Sequence, residues 1–119
     1  MSLTPLTELR EVQGISESDK IAIKNFMQGA IYCWAKNRRS EPFAVRDLMG
    51  GENFSWEGTP LQVLYDRHIT HGKSNDRAIE SAAQDLGWLV KSVLAADKRT
   101  FEAAKDGLVS SYRWVGGEA

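Results

Sequence analysis

The sequence predicts an α+β protein, mostly helical, that closes in a β-hairpin, and three observations carry that expectation. From Ser18 onward Ile23, Phe26, Met27, Ala30, Ile31 and Trp34 recur at i, i+3, i+4, i+7, i+8 and i+11, the spacing of one apolar stripe along a helix. A longer stretch with Ile79, Ala82, Ala83, Leu86, Leu89, Val90 and Val93 repeats the pattern. After Asp97 the period changes: Lys105-Asp106-Gly107 divides residues 100–104 from 108–115, and Asp-Gly between extended segments is a strong short-range hairpin signal.

At 119 residues the chain has room for one hydrophobic core. The expected organisation is an N-terminal arm or short helix over 1–17 and a single domain over 18–119. Hydrophobic residues make up 42% and charged ones 26%, which excludes wholesale disorder, because disorder needs few apolar residues and a large net charge. No apolar run approaches the roughly 18 residues that span a bilayer, and residues 1–6 carry neither a basic region nor a hydrophobic stretch. A cytoplasmic protein without membrane contact is the expectation. Cys33, the sole cysteine, cannot close an internal disulfide or build a thiolate metal cluster, in keeping with a reducing compartment.

The elements follow in order. Residues 1–15 lack a clear period and contain Pro5 and Gly14, so they read as an arm or as one short helix from Thr4 to Val12. Ser16 with Asp19, or Ser18 alone, can cap the first long helix, and Lys36, Arg38 and Arg39 suit the negative end of its dipole. Cys33 falls in the region of the apolar stripe, where a cysteine behaves as a small buried hydrophobe. Ser40-Glu41-Pro42 stops the helix. Phe43-Ala44-Val45 then reads as a very short strand, and Val45 to Met49 as one or two helical turns ended by Gly50-Gly51. Residues 40–45 are expected to pair with the terminal hairpin as a third strand, setting Phe43 over Tyr112 or Trp114.

Phe54 and Trp56 lie in a loop and are expected to fold back on the core, since each aromatic has a large surface to bury. Thr59-Pro60 marks the start of a helix carrying Leu61, Leu64, Tyr65 and His68, which should end by Gly72. Ser74 or Asn75 caps the long helix that follows. Gly87 interrupts that helix at a cost of about 1 kcal/mol relative to alanine, so close approach of another backbone is expected there. In the last segment Tyr112 and Trp114 share one strand face, and Ser111 and Arg113 the other. A helix through Phe101 to Tyr112 competes with the hairpin, because Glu102-Ala103-Ala104-Lys105 are good helix formers.

The residue types argue against an enzyme. His68 and His71, even with Asp66 or Asp76, lack the spacing of a zinc site, so neither metal nor cofactor is expected. Gly50-Gly51 and Gly116-Gly117 lack the strand-turn-helix setting of a phosphate loop. The net charge of −1, from 15 basic and 16 acidic residues, argues against nucleic-acid binding through overall charge alone. Its distribution is uneven: residues 1–19 carry a local −3 and residues 36–115 a local +1. Lys36, Arg38 and Arg39 form a tight basic cluster, and Arg67, His68, His71, Lys73 and Arg77 a looser one.

The order of elements, with Pro42 to Leu48 as strand and second helix, Ala82 to Leu89 in a third helix, and a hairpin ending in Ser111-Tyr112-Arg113-Trp114-Val115, resembles a winged helix-turn-helix domain. In that comparison the helix over 59–72 is an insertion. The resemblance implies a small sequence-specific regulator of transcription that binds double-stranded DNA, alone or as a homodimer. Asn75, Arg77, Ser81 and Gln84 would face base edges from the long helix. Lys73, Arg38, Arg39, Lys105 and Arg113 would contact phosphates. Asp76, Glu80 and Asp85 would repel phosphates unless they face away or pair with Arg77 and Lys91. A protein-interaction module on the same scaffold is the alternative, since near-neutral charge and 4 tryptophans suit a partner protein equally well.

Overall fold

Ser16 starts the helical half of the molecule by accepting a hydrogen bond from the Asp19 amide at 3.0 Å, as the capping pattern expects. Helix α1 runs from Glu17 to Arg38, acidic in its first turn and basic in its last. A computed structural model describes residues 2–3, 9–38, 41–49, 55–106 and 109–117. Within it the order is β1 (Ser2–Leu3), α1, β2 (Phe43–Ala44), α2 (Val45–Leu48), α3 (Gln62–Thr70), α4 (Asn75–Ala96), β3 (Arg99–Asp106) and β4 (Val109–Gly117). The protein is α+β and mostly helical, with a C-terminal hairpin. Arg39, the Gly50-Gly51 cap, Phe54 and the Gly107 turn lie outside the described residues, as do residues 4–8. Residues 9–13 are not helical, so a helix reaching Val12 is not formed; Val12 packs into the core from this non-helical arm.

The hairpin prevails over the competing helix. β3 and β4 pair with Phe101 opposite Trp114, Glu102 opposite Arg113 and Ala103 opposite Tyr112, with an irregularity at Thr100/Phe101. β2 adds to β4 through Phe43–Tyr112 and Ala44–Ser111, and β1 adds to β3, so the strand order is β1-β3-β4-β2. The expected face alternation holds: Tyr112 is buried, Trp114 packs against the core, and Arg113 is exposed. Phe43 is the centre of this packing. Its ring lies 5.6 Å from Trp34, 6.2 Å from Phe101 and 6.0 Å from Tyr112, within the range of favourable aromatic pairs. One side chain therefore joins α1, β2 and both strands of the hairpin. Trp56 is partly buried against the same core.

Two helix stripes differ from the periodicity. In α1 the buried residues are Ile23, Met27, Ile31 and Ala35, while Phe26 stays 39% exposed and Cys33 is exposed rather than buried. In α4 Ala78 and Leu94 are buried, whereas Ile79 is 52% exposed and Ala83 faces out. Apolar residues come in adjacent pairs at 78/79, 82/83 and 93/94, so each helix offers two faces about 100° apart. Tertiary packing chooses between them. Small residues at 78 and 82 let α3 lie close against the first half of α4. α3 itself begins at Gln62, two residues later than Thr59-Pro60 suggests: the Thr59 hydroxyl accepts from the Leu61 amide at 3.2 Å and donates to the Trp56 carbonyl at 2.7 Å, which makes a tight turn before the helix.

Where α4 ends, Asp97 takes an extended conformation and its carboxylate accepts from the Arg99 amide (2.9 Å), Arg99 Nε (2.9 Å), Arg99 Nη2 (3.0 Å) and Gln28 Nε2 (2.8 Å). Both side chains of the pair are almost fully buried. Burial by itself raises the Asp97 carboxyl, but the hydrogen bonds from Arg99 and Gln28 and the guanidinium charge outweigh it and hold the group below its ordinary value. Because the folded value lies below the unfolded one, about 3.9, the contribution is complete above that pH and is lost as pH falls through the folded value. Asp97→Asn should lower stability at neutral pH by roughly 3 kcal/mol and flatten the loss of stability as pH falls below about 3.9. Urea denaturation across that range checks it; an unchanged acid limb would remove Asp97 as its cause.

Gly87 corrects a second expectation. A methyl group built there meets nothing within 4 Å, so no backbone approaches it. Gly87→Ala should raise the unfolding free energy by about 1 kcal/mol through helix propensity alone, measured by thermal denaturation. A loss of stability would mean that the position is crowded after all.

Candidate nucleic-acid interface

α3, the turn at 71–74 and α4 form one unit. The amides of His71, Gly72 and Lys73 donate to Arg67, Ile69 and His68 carbonyls at 3.1, 3.0 and 3.1 Å. Gly72 takes φ +89°, a left-handed conformation that only glycine enters freely. Ser74 caps α4, its hydroxyl accepting from the Arg77 amide at 3.4 Å, and the Tyr65 hydroxyl donates to Asn75 Oδ1 at 2.5 Å. The start of α4 is thus held from both sides.

Opposite its buried stripe, α4 presents Arg77, Ser81, Gln84, Trp88 and Lys91, which recur every three or four residues and so share one face. Lys73 lies along this face, its ammonium donating to Ser81 Oγ at 2.9 Å. Trp88 is flanked by two cations, the Arg10 guanidinium at 4.9 Å and the Lys91 ammonium at 5.3 Å from the ring centroid. Arg77 is exposed and forms no ion pair with Asp76 or Glu80 among the described residues. Positive side chains therefore run along one ridge, with Asp76 and Glu80 on its flank.

Asp85 is withdrawn from that ridge, though not by Arg77 or Lys91. Its carboxylate accepts from Arg67 Nη2 and lies 2.8 Å from His68 Nε2. All three side chains are largely buried between α3 and α4. Arg67 also donates to the Gln13 carbonyl, which ties the N-terminal arm to the helix pair; Gly14 beside it takes φ +85°, a conformation that residues other than glycine rarely adopt. Arg67 and His68 are thereby removed from the looser basic cluster, and with His71 Nδ1 2.6 Å from the Arg67 carbonyl both histidines are engaged in local structure. Among the described residues no group of His, Cys, Asp and Glu side chains could hold a metal ion.

Of the residues singled out in the sequence, Lys73, Asn75, Arg77, Ser81 and Gln84 are brought together at the N-terminal half of α4. Arg38 is apart from them at the end of α1, 3.5 Å from Glu41 and stacked 4.9 Å from the Trp34 ring. Arg113 projects from β4 and pairs with Glu102 at 2.9 Å. Lys105 lies in β3 with its side chain outside the described residues, and Arg39 is outside them altogether. Arg10, Trp88 and Lys91 are the additions. Trp88 and Lys91 continue the spacing of Arg77, Ser81 and Gln84, a signal present in the sequence; Arg10 is brought in by the arm alone.

Comparison with family models, curated proteins and solved structures returned no match. Asp85→Ala should lower stability by about 2 kcal/mol, because Arg67 and His68 would keep their burial and lose their carboxylate. Denaturant titration checks it, and a variant as stable as the parent would show that the cluster holds nothing together.

Proposed function

We propose that this chain is a small DNA-binding regulator of the winged helix-turn-helix type, with the outward face of α4 entering the major groove. The observation that carries the reading is the ridge on α4: polar and cationic side chains in register, with one carboxylate of the helix, Asp85, taken inward by Arg67 and His68, while Asp76 and Glu80 stay exposed beside it. Arg77 suits the acceptor pair of a guanine, and Asn75 and Gln84 suit an adenine edge. Lys73, Arg10, Lys91 and Arg113 would contact phosphates, with Arg38, Arg39 and Lys105 as further candidates. The element order supports the same reading, since β2, which follows the first helix, joins the edge of the terminal hairpin. α3, read in the sequence as an insertion, packs directly on α4 and would take the place of the second helix instead of the turn at Val45–Leu48. A cytoplasmic location and action on double-stranded DNA belong to the same proposal.

A chain of net charge −1 reaches phosphates through few contacts. About three to four neutralised phosphates give a salt slope near −3 in the logarithm of affinity. Duplex binding measured at two salt concentrations tests this. Arg77→Ala should lose about 1–3 kcal/mol at a preferred site and relax discrimination at one base pair, whereas Arg38→Ala or Lys105→Ala should weaken all sequences alike and reduce the slope by about 1.

The second reading, a protein-interaction module, is favoured by one observation: Ile69 and Ile79, on either side of the α3–α4 turn, are 39% and 52% exposed. Absence of duplex binding at low salt would decide for it.

A further inference from the structure

Helix α1 has a second apolar face that the fold does not use. Its buried side is Ile23, Met27, Ile31 and Ala35. Across the helix Ala22, Phe26, Gly29 and Cys33 are all exposed, Phe26 by 39%. They alternate steps of four and three, the heptad spacing of a coiled-coil seam. One further step at either end reaches Asp19 and Lys36, neither of which forms an ion pair among the described residues. The seam is therefore Asp19, Ala22, Phe26, Gly29, Cys33, Lys36: charged and opposite at its ends, apolar between.

We propose that this face binds α1 of a second copy of the chain, antiparallel, about a two-fold axis between Phe26 and Gly29. In that alignment Asp19 meets Lys36 of the second copy, Ala22 meets its Cys33, and Phe26 meets its Gly29, each pairing occurring twice as an isologous contact requires. A parallel pair would instead set Asp19 on Asp19, Lys36 on Lys36 and ring on ring, with a void where the glycines meet. Charge and volume are complementary only in the antiparallel sense. Gly29 is the second argument. A methyl group there meets nothing within 4 Å, so packing within one chain does not call for glycine at a mid-helix position where it costs about 1 kcal/mol. The Phe26 ring of a second copy fills that space. The inference is independent of DNA binding, because it concerns a different helix and a different class of partner.

The alignment is tested by cross-linking. Ala22→Cys adds a thiol that would lie beside Cys33 of the second copy. Within one chain the two positions are separated by about 16 Å of helix rise, too far for a disulfide. Under mild oxidation Ala22→Cys should give a covalent dimer, while the parent chain, with Cys33 facing Ala22, and Ala95→Cys, on another helix, should not. Sedimentation of the reduced parent should show a reversible dimer, and Gly29→Gln should weaken it about tenfold or more by overfilling the space while its melting temperature is kept or raised. A parent chain that stays monomeric at high concentration, linkage in Ala22→Cys no greater than in Ala95→Cys, or equal linkage of Cys33 to itself would each overturn the proposal. A folded Gly29→Gln variant that dimerises like the parent would do so as well.

Discussion

The sheet is attached to the helices through one buried ion pair. At the end of α4 the chain must stop being helical, reverse into β3 and keep Phe101 and Ala103 directed at the core. Asp97 and Arg99 accomplish this together. The carboxylate takes both the backbone amide and the guanidinium of Arg99, and a hydrogen bond from Gln28 fixes it to α1. With every acceptor direction occupied, the charge is tolerated inside, and removal of either partner would strand the other. The register of β3 follows from that anchor, that of β4 from β3, and β2 can add to β4 only once Tyr112 stands opposite Phe43. The contacts of Phe43 with Trp34, Phe101 and Tyr112 close the circuit back to α1.

Asp85 performs a comparable task at the middle of α4. It joins Arg67 and His68, and through Arg67 it holds the arm at Gln13. Its second effect is electrostatic. With that carboxylate turned inward and neutralised, the opposite face of α4 is left with Lys73, Arg77, Lys91 and, by way of the arm, Arg10. Internal pairing of Asp85 thus lets cations outnumber the exposed carboxylates, Asp76 and Glu80, along this ridge of a nearly neutral chain. α1 and α4 pack on each other through their inner sides, so the ridge on α4 and the seam on α1 face different ways and leave one another accessible.

Local chemistry was legible in the sequence. The Ser16 and Ser74 caps, the Pro42 break, the short strand at Phe43 and the alternation of Tyr112 and Trp114 against Arg113 each depend on residues within a few positions of one another, and each is present. What was not legible depended on distant partners. Adjacent apolar pairs such as Ala78/Ile79 give a helix two equally good stripes, and the approach of α3 decides between them. Phe26 and Cys33 read as core because one apolar face is what a helix of a small domain ordinarily has; here there are two. The alignment of Arg77, Ser81 and Gln84 could be read from spacing, but the pairing of Asp85 with Arg67 and His68, and the placement of Arg10 against Trp88, required the chain to be folded.

The most direct test of the α4 surface is a residue-by-residue map of amide shifts when a short duplex is titrated into the labelled protein at low salt. Binding through this ridge predicts changes concentrated at 73–91, at Arg10 and along the hairpin, fading as salt is raised, with the seam of α1 unaffected. Changes centred on the exposed face of α1 or at Ile69 and Ile79, or no change at all, would contradict it.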